Sequence, residues 1–224
     1  MQKGVKFRIY PNMEQQNLIN QTLGCCRLIY NKCLAMRNEA YENGNKIGYS
    51  QTSAMLTGLK RMEEFAFWKE VDSIALQQSL RDLDRGFVNF FQKRAAHPTY
   101  KSKHNHHQSY RTVNQDDNIH IAGKYMKLPK LGFVKIRQSM EVGKINHVTI
   151  ERTPTNKYFA VLNVEFEPQP RPNNGGRIGI DVGIKEFYSD SNGTVVSNPK
   201  YLERSMRKLI REQRKLSRKP KGSN

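Results

Sequence analysis

The chain has 224 residues, enough for one large domain or two small ones, and its hydrophobic content of 37% is adequate for a core. Its 38 Lys and Arg against 20 Asp and Glu give a formal net charge of +18, which favours an anionic partner because so much like charge repels itself. Nucleic acid fits that charge; a membrane fits poorly, because no apolar run approaches the ~20 residues that span a bilayer and no basic helix has a strongly aromatic face.

The first predicted element is a strand at residues 3–10, in which apolar residues alternate with basic ones. This pattern indicates one buried face and one cationic face. Asn12 and Gln15 then match a capping box, in which each side chain satisfies a backbone amide of the other residue. We therefore predict a long helix that starts here and continues to about Tyr41, where apolar residues stop recurring at helical spacing.

The three cysteines, Cys25, Cys26 and Cys33, all fall within this helix. They are an odd set without metal-ligand spacing, so we interpret them as core residues. The first residues also lack the apolar central region of a secretory signal. Together these features predict a cytoplasmic protein in a reducing environment.

Arg27, Tyr30 and Asn31 lie beside the apolar stripe of the first helix. They are candidates for nucleic-acid contact, and ordinary helix surface is the alternative for all three.

A second, weaker helix is predicted at residues 50–61, with an interruption before residues 65–68. The third helix, from about Asp72 to Arg94, has the strongest pattern and is expected to pack on the first two. Its aromatic residues Phe87, Phe90 and Phe91 are interpreted as core. Four basic residues of this helix could instead face a partner: Arg81, Arg85, Lys93 and Arg94.

Pro98 ends the helical pattern and begins an extended turn that contains Tyr100, Lys101 and Lys103. An aromatic residue followed by lysines suits a base or sugar contact beside phosphate contacts. The histidines that follow, at positions 104, 106 and 107, are not predicted to bind a metal, because no distant Cys or His pair would complete a tetrahedral site.

Six short strands are predicted between residues 109 and 166, separated by Gly, Pro and Asn turn signals. Regularly spaced strands of this kind are typical of a small barrel, which the N-terminal strand is expected to join. The residues from 12 to about 100 would then be a helical insertion. A Pro-rich and Asn-Gly-rich stretch before residue 177 has the composition of a linker.

Residues 177–184 alternate β-branched residues with glycines, which predicts a short buried strand carrying a single carboxylate, Asp181. A buried carboxylate requires a cation or hydrogen-bond donors, and Gly179 and Gly183 leave room for a Mg²⁺ ion with nucleic-acid phosphates. The alternative is a core strand whose Asp only caps the next turn.

A hairpin follows, with strands at 185–190 and 194–197 around an Asn-Gly turn. Asn198 and Pro199 then predict a helix start, and the apolar stripe of this helix is expected to face a sheet. Its other face is basic: residues 204–221 hold nine Lys or Arg and a single acid, Glu212. This favours a phosphate-binding surface over a merely solvated face. Strand, hairpin and helix in this order resemble the opening of a ribonuclease-H-like domain.

Six short segments, taken in the order in which they occur along the chain, resemble the N-terminal part of the insertion-sequence OrfB (TnpB) family. These are the transposon-encoded RNA-guided DNA endonucleases related to type V CRISPR effectors. The resemblance runs along the whole chain. The segments are Lys6-Phe-Arg-Ile-Tyr-Pro11, Arg27-Leu-Ile-Tyr-Asn31, Leu76-Gln-Gln-Ser-Leu-Arg-Asp-Leu-Asp84, Pro98-Thr-Tyr-Lys-Ser-Lys103, Gly179-Ile-Asp-Val-Gly183 and Lys215-Leu-Ser-Arg-Lys219.

The resemblance implies an α+β protein: an OB-like wedge β-barrel (1–11 and 100–167) with an inserted helical recognition domain (12–99), a linker (168–176), and the first hairpin and helix of a RuvC-like nuclease domain (177–224). Asp181 matches the first catalytic carboxylate and metal ligand of the family. Guide RNA and target DNA are the implied partners. The expected nucleic-acid contacts are Lys6, Arg8, Arg27, Tyr30, Asn31, Tyr100, Lys101, Lys103, Arg204, Arg207, Lys208, Arg211, Arg214, Lys215 and Arg218.

In that family the catalytic Glu, a zinc ribbon and the last catalytic Asp lie beyond the point where this sequence stops. Two of three carboxylates would be missing, so Mg²⁺ is expected only in a RuvC site completed by a C-terminal half. Asp190 and Glu186 are weak candidates to substitute for them. The sequence therefore favours a truncated reading frame over a complete enzyme.

The sequence leaves two functions open. It also leaves open whether the chain itself cleaves DNA. The first is a transposase-associated RNA-guided endonuclease represented by its guide-binding half. The second is a non-cleaving nucleic-acid-binding protein or the remnant of a degraded transposon gene. An actin-like ATPase is disfavoured, because Lys185 and Glu186 stand where that fold places small hydroxyl residues.

Overall fold

The computed structural model describes residues 1–168, 175–220 and 222. The chain divides into two compact units, residues 1–168 and 169–224. Most of the predicted linker at 168–176 falls outside the described residues. Within the described part, none of the helices has both the length and the apolar character that a membrane crossing requires.

The first unit begins as the sequence predicts. Strand β1 (Gln2–Tyr10) buries its apolar residues at alternate positions. The Asn12 side chain accepts a hydrogen bond from the Gln15 amide at 2.8 Å, and the Gln15 side chain accepts one from the Asn12 amide at 3.0 Å. This capping box satisfies two amides that a helix start would otherwise leave unpaired.

Three α-helices follow: α1 (Met13–Glu42), α2 (Tyr49–Leu59) and α3 (Ser73–Phe91), with a 3₁₀ helix (Glu63–Lys69) between the last two. Helices α1 and α3 pack together, and the buried Ser79 hydroxyl donates to the Cys26 carbonyl at 2.8 Å. All three cysteines are buried, as predicted. Burial raises the pKa of the Cys25 and Cys33 thiols to about 11.

Six further strands of the first unit are β2 (Gln108–Val113), β3 (His120–Ala122), β4 (Tyr125–Leu128), β5 (Gly132–Arg137), β6 (Ile145–Arg152) and β7 (Tyr158–Glu165). They join β1 in one antiparallel sheet of order β2-β6-β7-β1-β5-β4-β3. The first strand of the chain is therefore in the middle of the sheet. Mixed helix and sheet make the protein α+β.

One hydrophobic core joins sheet and helices. Phe7 and Ile9 from β1 and Ile29 and Leu76 from the helices are all essentially inaccessible to solvent. The predicted core role of the last aromatic residues of α3 is wrong in part: Phe87 is buried, but Phe91 is 66% exposed and Phe90 is at the border of exposure. These two residues occupy the final turn of α3.

The second unit contains the strands β8 (Ile180–Asp181), β9 (Glu186–Asp190) and β10 (Val195–Ser197) and the helix α4 (Tyr201–Ser217). The three strands form a sheet of order β10-β9-β8. Gly193 adopts φ 84°, a conformation that favours glycine, which explains the Asn-Gly turn signal.

Three predictions for this unit are wrong. The strand around Asp181 is not buried: it has two residues, and Ile180 is 60% exposed. Helix α4 begins two residues later than predicted, because the Asn198 side chain instead accepts from the Lys200 amide at 2.9 Å and donates to the Ile184 carbonyl at 2.8 Å. The apolar stripe of α4 is also exposed rather than packed on a sheet, since a small three-stranded sheet covers little apolar surface.

Candidate nucleic-acid interface

The loop at residues 97–103 is fastened to α1 by one side chain, Asn31. Its amide nitrogen donates to the Lys101 carbonyl at 2.9 Å, and its carbonyl oxygen accepts from the Lys101 backbone amide at 2.8 Å. Both hydrogen bonds hold the backbone rather than the side chain. The segments around Asn31 and Lys101, which lie 70 residues apart in the sequence, are therefore in direct contact.

The Lys101 ammonium lies 4.2 Å from the centre of the Tyr30 ring, a cation–π contact. Desolvation by the surrounding protein lowers the pKa of Lys101, and the Asp82 carboxylate opposes that shift. Burial, with Asp82 nearby, raises the pKa of the Tyr30 phenol. Tyr30 is buried, and its ring packs against the Lys101 side chain rather than facing solvent.

The other end of the loop rests on α3. The His97 ring meets the rings of Phe87 and Phe90 edge-on, with centroids 5.3 and 5.1 Å apart. A Cβ at Gly86 would lie 3.3 Å from the Pro98 ring, so glycine allows this close approach. With both ends fixed, the loop exposes the side chains of Tyr100 and Lys103.

We predict that Asn31→Ala weakens nucleic-acid binding by about ten-fold, because the loop loses two backbone hydrogen bonds and must be ordered on binding. Asn31→Asp keeps the acceptor and loses the donor, so it should have an intermediate effect. Fluorescence anisotropy with a labelled oligonucleotide measures the affinity, and hydrogen exchange of residues 97–103 reports the freed loop.

Asn17→Ala is the matched control, since Asn17 is an exposed asparagine of the same helix. Faster exchange in the loop of the Asn31 variant with unchanged affinity would show that the loop does not contact nucleic acid.

A groove of about 770 Å³ runs between α3 and β2, with residues of both elements in its lining. The Arg81 guanidinium lies over the Tyr49 ring at 4.9 Å, and Arg111 is hydrogen-bonded to Asp82. Arg85 also lines it. The sequence named Arg81 and Arg85 as candidates to face a partner. It did not name Arg111, whose sequence signal is its place between the buried strand positions 110 and 112.

On β1, the predicted contacts Lys6 and Arg8 are held by other residues of the sheet. Lys6 pairs with Glu151 at 2.5 Å and lies 4.7 Å from the Phe159 ring, so its charge is already matched. The Arg8 guanidinium lies 5.5 Å from the Tyr10 ring and 5.0 Å from the Phe159 ring. Arg27 is half-buried on the same face of α1 as Tyr30.

Helix α4 and the residue that follows it, Arg218, carry the remaining predicted contacts, all of them exposed. Arg207 is 3.6 Å from Glu203, and Lys215 is 3.1 Å from Glu212, so two acids offset part of the charge. A shallow groove of about 460 Å³ on this helix is lined by Ile210 and five of the basic residues. These are Arg207, Arg211, Arg214, Lys215 and Arg218. Arg204 and Lys208 complete the predicted set.

Asp181 lies in β8, exposed, with Ser189 of β9 directly opposite. Residues directly opposite share one face of a sheet, and neighbours along a strand alternate between faces. Asp190 is opposite Ile180, so Asp190 projects from the other face. Glu186 lies beyond an irregularity in the register of β9 with β10, where Val196 is opposite Tyr188 but Ser197 is opposite Glu186, so strand alternation does not assign its face. Asp190 is therefore not placed to join Asp181 in holding an ion.

Asp190 accepts hydrogen bonds that stabilise the turn of the hairpin. It accepts from the Tyr188 hydroxyl at 2.6 Å and from the amides of Asn192 and Thr194, both at 2.9 Å. These bonds, led by the Tyr188 hydroxyl, lower the pKa of Asp190 and close the hairpin turn. Among the described residues no three His, Cys, Asp or Glu side chains group as metal ligands. The described carboxylates alone therefore do not fit a two-metal site.

Two family models match the chain. One, described as a helix-turn-helix domain of IS605 OrfB proteins, matches residues 1–46; another, described as "Probable transposase" of the same OrfB group, matches residues 152–224. Within residues 1–46 the structure forms strand β1 and the uninterrupted helix α1. The two helices that the first description names are therefore not both formed inside the matched segment.

Three relatives are similar to the chain. A protein of Streptomyces pristinaespiralis named "Putative RNA-guided DNA endonuclease" is 36% identical over 100% of this chain and 56% of its own length. The Escherichia coli (strain K12) protein named "Putative RNA-guided DNA endonuclease InsQ" is 34% identical over 98% of this chain and 54% of its own length. "Virulence protein VsdF" of Salmonella dublin is 35% identical over 46% of this chain and 96% of its own length. The chain spans about half the length of the first two.

Proposed function

Because the chain belongs to the OrfB family of IS605-type insertion sequences, we propose that it is the nucleic-acid-binding part of an RNA-guided DNA endonuclease. One observation carries this proposal: two relatives named as such endonucleases match it over 100% and 98% of its length. Guide RNA and target DNA are the proposed partners.

The charge and geometry support nucleic-acid binding. The formal net charge of +18 needs an anionic partner, and the basic face of α4 and the loop at 97–103 both present cations to solvent. The loop is fixed at both ends before any partner arrives. A pre-ordered contact loses less entropy on binding, so this loop is the best-supported contact of the first unit.

The domain assignment extends from the sheet. Strand β1 pairs with β7 and β5, strands that lie more than 120 residues later in the chain, so the helices after β1 are inserted between strands of one sheet. This supports an OB-like wedge (1–11 and 100–167) with a helical recognition insertion (12–99). We assign residues 177–224 to the first part of a RuvC-like domain, after a linker at 168–176.

Asp181 is proposed as the first catalytic carboxylate and a metal ligand. A complete site of this type would hold Mg²⁺, which activates the attacking water and stabilises the leaving oxygen. Asp181 lies in an edge strand and is exposed, so it is accessible to further ligands from outside the described hairpin.

Recovery of bound RNA tests the binding proposal. The chain, expressed beside its natural flanking DNA and purified at moderate salt, should retain RNA that sequencing assigns to one locus, and raised salt should release it. A purified chain free of RNA that also fails to bind added oligonucleotides would refute the proposal.

A non-cleaving nucleic-acid-binding protein is the second candidate. The observation that favours it is that Asp190 lies on the other face of the sheet from Asp181, and that no three potential metal ligands group together among the described residues. Cleavage assays of the complemented chain separate the two candidates.

A further inference from the structure

The sheet of the first unit has an outer face that alternates aromatic and basic side chains. Along β4 and β5 the core-side positions, such as Met126 and Val134, are fully buried. The intervening positions are exposed. On β1, β4 and β5 these outer positions include Tyr10, Tyr125, Lys127, Phe133, Lys135 and Arg137.

The strand register brings three of these side chains into one row. Lys135 of β5 is directly opposite Tyr10 of β1 on one side and directly opposite Tyr125 of β4 on the other. Tyr10 is 47% exposed and Tyr125 is 48% exposed. A lysine therefore stands between two tyrosines, which are two strand spacings, roughly 10 Å, apart.

Cations surround this row. Arg8 is directly opposite Arg137, and Lys127 is directly opposite Phe133, which is 54% exposed. Lys127, Lys135 and Arg137 form no ion pair with any residue in the described part of the chain. Nη1 of Arg8 likewise has no hydrogen-bond acceptor there, although the Tyr10 and Phe159 rings hold the guanidinium in place.

We propose that this outer face binds single-stranded nucleic acid, with bases stacked on Tyr10 and Tyr125 and a phosphate on Lys135 between them. The inference rests on the proposed function, because it specifies where and in what form the chain holds nucleic acid. Aromatic rings beside cations are the features by which proteins hold unpaired strands.

The geometry selects a single strand over a duplex. In a duplex the base faces are occupied by neighbouring bases, so rings on a sheet cannot stack on them. The two tyrosines are about three times farther apart than the 3.4 Å rise of a stacked strand. Bases on both rings are therefore not stacked on each other, which requires an extended, unpaired strand.

The decisive variant is the double substitution Tyr10→Leu with Tyr125→Leu, made in the full chain. The probe is a short single-stranded oligonucleotide that carries a fluorescent base analogue quenched by stacking. Loss of both rings should weaken single-strand binding by roughly a hundred-fold, about ten-fold for each ring, and should abolish the quenching. Binding of the matching duplex should be unchanged. Parallel RNA and DNA probes of one sequence identify which strand type the face prefers.

Tyr10→Phe with Tyr125→Phe should bind and quench as the original chain does, because stacking needs the ring and not the hydroxyl. Tyr41→Leu, at a tyrosine that is 70% exposed on α1, should have no effect. Lys135→Gln should lower the salt dependence by about one unit while retaining the quenching.

If the original chain binds no nucleic acid of any kind, the proposed function fails. If it binds single strands, but the double Leu variant binds and quenches equally well, the proposed function stands and the inference about this face is wrong.

Discussion

Asp181→Ala should reduce metal-dependent DNA cleavage by about a thousand-fold or more in a complemented enzyme. The reason is that the catalytic carboxylates act as a unit, so removing one of them costs about as much activity as removing all of them. Complementation means that the part of a relative's length that this chain does not match is supplied in trans. That part should restore carboxylates beside Asp181 and switch on cleavage with Mg²⁺. The chain alone should not cleave above background, because one carboxylate does not hold catalytic ions against hydration.

Glu186→Gln is the matched control, because Glu186 is an exposed carboxylate of the neighbouring strand β9 that is not opposite Asp181 in the strand register. It should leave cleavage intact. Complementation should also slow amide exchange in residues 177–197, with or without Asp181, since it would cover the exposed hairpin. A complemented Asp181→Ala protein that still cuts would show that Asp181 is not a metal ligand.

Replacing Arg207, Arg211 and Arg214 with Ala together should weaken nucleic-acid binding several hundred-fold at about 0.1 M salt and lower the salt slope by roughly three units. The reason is that each phosphate contact releases about one counterion, and all three side chains line the groove on α4. Affinity measured over a salt series reports both quantities. The loss should be the same for unrelated sequences, because phosphate contacts do not read bases.

The control removes the same charge from elsewhere: Lys46, Arg61 and Lys157, all exposed, are changed to Ala together. This variant tests whether total charge alone accounts for the loss. Equal slopes in the two triple variants would mean that α4 is only a solvated basic surface.

Elements set by local rules were predictable from the sequence. The alternation in β1 and the capping box at Asn12 match their predictions, because each depends on neighbours within a few residues. The family was also recognisable from ordered short segments.

Features that depend on distant parts of the chain were not predictable. Asn31 holds Lys101 across 70 residues, and the row of Tyr10, Lys135 and Tyr125 exists only in the observed register. The prediction of a buried strand around Asp181 was wrong for a related reason. Alternation indicates which side of a strand is apolar, but not whether another element covers that side.

The central place of β1 has a consequence for how the protein is made on the ribosome. Residues 2–9 pair with β7, which ends at Glu165. The first strand synthesised therefore cannot form this pairing until one of the last strands of its sheet has been synthesised. The helices between them can form earlier, because their contacts are local. Lys6 and Arg8 alternate with the apolar residues of β1, and such charges hinder pairing with other nascent chains before β7 is available.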